Sequence, residues 1–166
     1  MKQLWAPWRM PYLRGENPKV DGCMFCEKLK SADAEEHILY RGVRCFVVLN
    51  RFPYSNGHMM VVPYRHTERL EELDDETSLE LMQLVRHSLT FLREAYHPDG
   101  FNVGVNEGSA AGAGVAEHVH LHIVPRWRGD ANYMTVIGET RVIPESLDDT
   151  YATFRPYFDA LKTATK

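Results

Sequence analysis

The sequence predicts an α+β fold, in which short strands form a sheet covered by one long helix. Short apolar runs bounded by Pro, Gly, Asn and Asp recur between residues 38 and 126, as expected for strands. One longer segment, residues 75–96, repeats its apolar residues at helical spacing instead. A chain of 166 residues with 44% hydrophobic content is large enough for one such domain with its own core.

The strands are predicted from their apolar runs and from the turn residues between them. Arg44–Leu49 is almost entirely apolar, which predicts a strand that is covered on both faces. Pro53–Gly57 has the composition of a turn, and Pro63 closes the strand that follows. The other predicted strands are Ile38–Tyr40, Met59–Val62 and Phe101–Val105, and His66–Leu73 is expected to include a short helix.

Two further helices are predicted. Asp74–Glu76 suits the start of the long helix and His97–Gly100 suits its end. A C-terminal helix is predicted over Asp148–Lys162, where Pro156 must start, bend or interrupt it. The apolar stripe of the long helix consists of Leu81, Met82, Val85, Leu89, Phe91 and Leu92.

The most informative segment runs from His118 to Arg126, where histidines alternate with apolar residues and Pro125 should lie near the strand end. Side chains alternate between the two faces of a strand, so the histidines would share one face. Residues i and i+4 lie ~13 Å apart at ~3.3 Å per residue, which disfavours one metal ion bound by the whole row. A nucleophile flanked by phosphate-binding histidines fits better. One face of the predicted strand would carry His118, His120 and His122, and the other face would carry Val119, Leu121 and Ile123.

Two cysteines form a Cys-x-x-Cys pair, Cys23 and Cys26, whereas Cys45 lies in an apolar run and is expected in the core. Such a pair is typical of a metal site or a redox motif. The residues before it, 17–22, have turn composition, whereas a thioredoxin-like motif would follow a strand. A metal site needs two more ligands, and two buried thiols remain the alternative.

Composition and charge narrow the functional classes. The net charge of −4 gives no general attraction to polymeric nucleic acid. No apolar run is long enough to cross a membrane, and residues 1–22 lack the apolar core of a signal peptide, so we expect a cytoplasmic protein. Three aromatic side chains of this N-terminal arm are expected to pack on the body or on a partner: Trp5, Trp8 and Tyr12.

The chain resembles the histidine-triad (HIT) superfamily of nucleotide hydrolases and transferases. The resemblance rests on His118–Arg126, on Asn50–Pro53 with Gly57–Pro63 and His66, and on Asn106–Gly108. The flanking segments, including Leu4–Arg9, Ala111–Gly114 and Pro125–Asp130, resemble the bacterial branch that contains diadenosine tetraphosphate phosphorylases.

The resemblance implies an antiparallel sheet of about five strands and a homodimer formed through a sheet edge and a helix. It also implies one HIT domain, with an arm (1–22), a core (23–126) and a C-terminal extension (127–166). The ligands of a structural zinc ion would be Cys23, Cys26, His66 and His118.

By the same resemblance, His120 would attack a phosphorus atom and form a nucleotidyl-histidine. The carbonyl of His118 would accept a hydrogen bond from the His120 Nδ1–H, whereas His122 and His58 would hydrogen-bond phosphate oxygens. The remaining nucleotide-binding candidates are Asn50 for ribose, Asn106 for phosphate and Gly114 for phosphate through its backbone amide; Asn50 and Asn106 could instead be structural turn residues.

The function implied is cleavage of dinucleoside polyphosphates, such as diadenosine tetraphosphate, by phosphorolysis or hydrolysis. The alternatives are a nucleotide-binding module without turnover, a nucleoside phosphoramidate hydrolase, and a metallohydrolase that uses the triad as ligands. Intact His120 and His122 argue against the binding module, and strand geometry argues against the metallohydrolase. Gly112–Val115 lacks the Gln and hydroxyl that many family members carry, which weakens a transfer from phosphoramidate hydrolases.

Overall fold

A computed structural model of the chain describes residues 22–131 and 143–164. It contains a five-stranded antiparallel sheet in the order β1-β2-β3-β5-β4, which confirms the predicted α+β fold. The strands are β1 (Ile38–Arg41), β2 (Cys45–Leu49), β3 (Met59–Pro63), β4 (Gly100–Val105) and β5 (Leu121–Arg126). The helices are α1 (Met24–Lys28), α2 (Asp75–Tyr96) and α3 (Leu147–Ala164), with 3-10 turns at Leu70–Glu72 and Ser109–Ala111.

Apolar side chains cover both faces of the sheet, and the alternation along β2 assigns them to two cores. Cys45, Val47 and Leu49 point to the face on which α2 and α3 pack, where the larger core lies. Phe46 and Val48 point to the opposite face, where Phe25 of α1 packs beside them. All five residues of β2 are buried, so the prediction of a strand covered on both faces is confirmed.

The two long helices lie close to their predicted bounds. Asp74 caps α2 by accepting a hydrogen bond from the Thr77 N–H at 2.7 Å. His97 ends the helix in the left-handed conformation, with φ of 47°. Helix α3 continues across Pro156, so this proline neither starts nor ends it.

One residue of the predicted apolar stripe of α2 is wrongly placed. Leu81, Val85 and Leu92 are buried against the sheet, but Met82 is 49% exposed. One step along a helix turns the side chain by ~100°, which carries Met82 from the buried stripe onto the flank of the helix.

Strand β5 starts later than the histidine alternation suggested. His118 and His120 precede the ladder, because the last partners that β3 and β4 offer, Val61 and Val105, both pair with Leu121. The alternation of faces nevertheless holds: Val119, Leu121 and Ile123 enter the larger core, and the imidazoles lie on the other side of the sheet.

Strand β4 forms one edge of the sheet, and its central residues Asn102, Val103 and Gly104 are exposed. Within the described residues, no helix is both long and apolar enough to cross a membrane. The expectations for Trp5, Trp8 and Tyr12, and for residues 132–142 of the C-terminal extension, fall outside the described residues.

Candidate active site and metal cluster

The His120 ring is held by the backbone of the residue two positions before it. Its Nδ1 lies 2.8 Å from the His118 carbonyl oxygen, which can only accept, so Nδ1 carries the proton. The lone pair of the neutral ring therefore lies on Nε2, to which no described residue donates a hydrogen bond. The side chain is 3% exposed, and burial lowers the pKa of His120 below its usual 6.5. A neutral imidazole with an available Nε2 is chemically equipped for nucleophilic attack.

His58 and His122 form a second unit beside it, and their hydrogen bonds determine their tautomers. The Tyr54 backbone N–H donates to His58 Nδ1 at 3.1 Å, so the proton of neutral His58 lies on Nε2. His58 Nε2 then donates to His122 Nδ1 at 3.0 Å. The neutral His122 ring consequently carries its proton on Nε2, and its centroid lies 4.7 Å from that of His120.

The described contacts of His58 are made to protein groups. Both ring nitrogens of His58 are engaged by protein groups, and the residue is only 1% exposed. Its contacts place it behind His122, where it fixes the orientation of that ring.

Asn50 lies at the end of β2, where its side chain contacts the loop that carries His58. Its Oδ1 accepts from the Phe52 N–H at 2.9 Å, and its Nδ2 lies 3.3 Å from His58 Nδ1. These contacts are those of a turn residue, with the half-buried amide beside the histidine pair.

The other two nucleotide-binding candidates lie directly after β4 and in the loop before the triad. Asn106 follows Val105, the last β4 residue paired with β5, so continuing the register places Asn106 opposite His120. Its side chain is half-buried and makes no hydrogen bond to a described residue. Gly104 pairs with His122 and leaves open space where a Cβ would stand. Gly114 is exposed in the loop before the triad.

The four predicted zinc ligands meet in one cluster. One potential ligand atom from each of Cys23, Cys26, His66 and His118 lies within 4.8 Å of all the others. His118 Nδ1 is 3.2 Å from Cys23 Sγ and 3.7 Å from Cys26 Sγ, and His66 Nδ1 is 3.6 Å from Cys26 Sγ. Zn–S and Zn–N bonds of ~2.3 and ~2.0 Å imply S···N edges of ~3.6 Å in a tetrahedron, so the donor set fits zinc.

The His118 ring belongs to this cluster and has no described contact with the His122 ring. Its Nε2 donates to the Pro63 carbonyl at 2.8 Å, as histidine ligands of metals commonly do with their second nitrogen. Among the predicted catalytic residues, His118 therefore reaches His120 through its backbone carbonyl and not through its ring.

The cluster is also packed against His120. Phe25, between the two cysteines, lies 5.5 Å from the His118 ring centroid and 4.9 Å from that of His120. The Val119 N–H donates at 2.7 Å to the carbonyl of Thr67, the residue after His66. Both contacts fix the backbone that presents the His120 ring.

Sequence reasoning missed several residues that shape this site. The Tyr54 N–H sets the tautomer of His58, and Ser55 Oγ donates to the Pro125 carbonyl at 2.7 Å, joining the β2–β3 loop to β5. Arg126 pairs with Asp130 and donates to Asn102 Oδ1 at 2.6 Å. The turn composition of residues 53–57 predicted the loop but none of these partners.

Comparisons with known proteins agree with this geometry. The HIT domain family matches residues 31–129. A protein of Mycobacterium tuberculosis named AP-4-A phosphorylase is 43% identical over 157 residues, covering 90% of this chain and 80% of the relative.

Solved structures show the same fold. A Zn-bound histidine triad family protein from Mycobacterium smegmatis superposes with a TM-score of 0.68 and 28% identity, covering 86% of this chain and 97% of that one. A hypothetical histidine triad nucleotide-binding protein from Sulfolobus tokodaii superposes with a TM-score of 0.67 and 28% identity, covering 84% and 94%. The family match over residues 31–129 and the relative that aligns with 90% of the chain show that it belongs to the HIT-domain, or histidine-triad, family.

Proposed function

We propose that the chain is a nucleotidyl-transferring enzyme that cleaves dinucleoside polyphosphates such as diadenosine tetraphosphate. The observation that carries the proposal is the hydrogen bond between His120 Nδ1 and the His118 carbonyl, which leaves the lone pair of the ring on Nε2; the ring centroid lies 4.7 Å from that of His122. The name of the Mycobacterium tuberculosis relative supports the choice of substrate.

In the first step, His120 Nε2 attacks the α-phosphorus of one adenylate. A bond forms between Nε2 and phosphorus, the bond from phosphorus to the bridging oxygen breaks, and its electron pair leaves with ATP. The Nε2–H of His122 donates a hydrogen bond to the oxygens on which charge develops, which stabilises the transition state. His58 holds His122 in the tautomer that makes this donation possible.

In the second step, inorganic phosphate or water attacks the adenylyl-histidine. Phosphate forms the new P–O bond and yields ADP, whereas water yields AMP; in both cases the electron pair of the N–P bond returns to His120 Nε2. We assign Asn106 and the Gly114 amide to the phosphates and Asn50 to the ribose. Asn106 lies opposite His120 in the continued register, Gly114 lies in the loop that precedes the triad in the chain, and Asn50 contacts His58.

We propose that zinc occupies the cluster of Cys23, Cys26, His66 and His118. Bound there, the ion would supply structural stability, because four protein ligands close its coordination. The Zn-bound structure from Mycobacterium smegmatis and the donor distances support this assignment.

Three broader assignments accompany the proposal. A homodimer is supported by the exposed edge strand β4, since unpaired edges are commonly covered by a partner. A cytoplasmic location is supported by the free thiols that a Cys/His metal site requires, because reducing compartments maintain them. The chain is assigned as a single HIT domain with an arm (1–22), a core (23–126) and a C-terminal extension (127–166).

Radiolabelled diadenosine tetraphosphate, incubated with and without phosphate, tests the function. ADP formed together with ATP only when phosphate is present supports phosphorolysis, whereas AMP formed from water attack supports hydrolysis. Tight binding without turnover would favour a nucleotide-binding module. Faster cleavage of an adenosine phosphoramidate than of the dinucleotide would favour a phosphoramidate hydrolase.

A further inference from the structure

A carboxylate beyond the segment that matches the family contacts the loop that carries His58. The match covers residues 31–129, whereas Glu145 lies two residues before α3. Its Oε2 accepts hydrogen bonds from Asn56 Nδ2 at 3.1 Å, from Thr150 Oγ1 at 2.9 Å and from the Tyr96 hydroxyl. One oxygen thus joins the β2–β3 loop, the first turn of α3 and the end of α2.

The loop is held tightly at the residue that follows Asn56. Gly57 has φ of +73°, and a Cβ there would lie 2.9 Å from Leu92 Cδ2 and 3.0 Å from Tyr96 Cε2. The loop therefore rests directly on the last turns of α2. Because Tyr96 also donates to Glu145, the same carboxylate fixes both the loop and the side chain under it.

These contacts lead to the catalytic candidates in a short chain of bonds. On one side of the loop, the Ser55 hydroxyl donates a hydrogen bond to the Pro125 carbonyl; on the other side, the Asn56 amide donates one to Glu145. The next residue but one, His58, donates to His122 Nδ1 at 3.0 Å. A displacement of Asn56 therefore also displaces His58, two residues further along the chain, and with it the hydrogen bond that orients His122.

The side chain of Asn56 is anchored through one end of its amide. Asn56 Oδ1 is buried and has no hydrogen-bond partner among the described residues, so Nδ2 is the end that anchors this amide. Burial, with the hydrogen bond to Glu145, raises the pKa of Tyr96 to about 12, which keeps its hydroxyl a donor at neutral pH.

We propose that Glu145 is a positioning residue for His122, acting through Asn56 and the β2–β3 loop on His58. The proposal rests on the proposed function, since it assigns the loop a part in nucleotidyl transfer. Misplacing a catalytic group by about 1 Å can cost about 100-fold in rate, so we expect Glu145→Ala to lower kcat by about 10- to 100-fold with a small change in KM.

The experiment compares Glu145→Ala, Asn56→Ala and Glu145→Gln, with Asp33→Asn as the control. Asn56→Ala removes only the contact on the loop side, and it decides the proposal if Glu145→Ala does not fold. Glu145→Gln keeps an acceptor oxygen for Asn56 and Tyr96, while Thr150 retains the Ser146 carbonyl as acceptor, so it should recover most of the lost rate. Asp33 anchors α3 through Arg155 without a described contact to the loop, so its loss tests a purely structural effect.

Two readouts separate the possibilities. Steady-state kinetics give kcat and KM for diadenosine tetraphosphate, and nitrogen-15 NMR of the imidazoles reports the His58 Nε2–H without any substrate. We expect both alanine variants to lower kcat and to weaken or abolish that N–H signal, whereas Asp33→Asn lowers only thermal stability. Unchanged kcat and unchanged imidazole signals in folded Glu145→Ala or Asn56→Ala would overturn the proposal. If the wild type shows no turnover, the proposed function fails, whereas the NMR comparison still decides whether Glu145 positions the histidine pair.

Discussion

Gly57→Ala is expected to destabilise the protein more than a glycine substitution with the same backbone strain elsewhere. Gly57 has φ of +73°, and a non-glycine residue in the left-handed region costs about 1–2 kcal/mol. Its Cβ would also press on Leu92 Cδ2 at 2.9 Å and Tyr96 Cε2 at 3.0 Å. Leu92 is fully buried in the larger core and Tyr96 is bonded to Glu145, so neither can easily withdraw.

The magnitude follows from these two contributions. Overpacking a well-packed site costs about 1–3 kcal/mol, which together with the strain gives roughly 2–5 kcal/mol for Gly57→Ala. For a chain of this size, 1 kcal/mol shifts the melting temperature by about 2–4 °C, so we expect a decrease of about 4–20 °C. The turnover rate should fall as well, because the added methyl group displaces the residue before His58.

Gly129→Ala is the matched control. Gly129 has φ of +83°, and a Cβ there would meet nothing within 4 Å, so only the strain of about 1–2 kcal/mol applies. Calorimetry or urea unfolding of both variants measures the difference. Equal melting temperatures for the two variants would show that the loop does not rest on α2 as described.

Four further outcomes are expected. Cys23→Ser should lose its bound zinc, and its melting temperature should fall by about 10 °C, which corresponds to roughly 3 kcal/mol. The control variant Cys45→Ala should keep its metal. Elemental analysis measures the metal and calorimetry the melting temperature, and metal-free wild-type protein would contradict the zinc assignment. Burial raises the pKa of Asp33, but hydrogen bonds from Arg41 and Arg155 outweigh it and lower the pKa below 3.8; its stabilisation is thus present above pH 3.8 and lost as the pH falls through the lowered value. Asp33→Asn should therefore cost about 1–2 kcal/mol at pH 7 and progressively less below pH 4, and a pH-independent difference would refute the ion-pair explanation. Sedimentation equilibrium should give twice the chain mass of 19.1 kDa, and a species at that single mass would exclude a stable dimer; deletion of residues 1–12 should weaken stability or assembly more than the chemical step.

Features with a regular period could be predicted from the sequence. The alternation of polar and apolar residues over His118–Ile123 predicted that the histidines share one face of the strand. The helical spacing of apolar residues, together with the residues that suit a helix start and end, predicted the position of α2. The prediction that Met82 belongs to the apolar stripe was wrong, because the helical period identifies the position of a stripe but not its width. The width depends on how far the sheet extends beneath the helix.

Contacts between segments distant in the chain could not be predicted from local pattern. Cys23 and His118 lie 95 residues apart in the chain, and only the family resemblance predicted that they meet in one metal site. The donation of the Tyr54 N–H to His58 depends on how the loop closes, and the contact of Glu145 with Asn56 joins residues 89 positions apart. Neither contact has a sequence period, because each is fixed by tertiary packing.

Trapping the covalent intermediate tests the central claim most directly. The protein is mixed with diadenosine tetraphosphate labelled in its α-phosphate, without added phosphate, and is quenched in base because N–P bonds are labile in acid. We expect one adenylyl group per chain, located by peptide mapping on His120, and its conversion to ADP when phosphate is added before the quench. His120→Ala should carry no label and lose several powers of ten in rate while still binding nucleotide. Label on any other residue, or an alanine variant that keeps a tenth or more of the rate, would contradict the account.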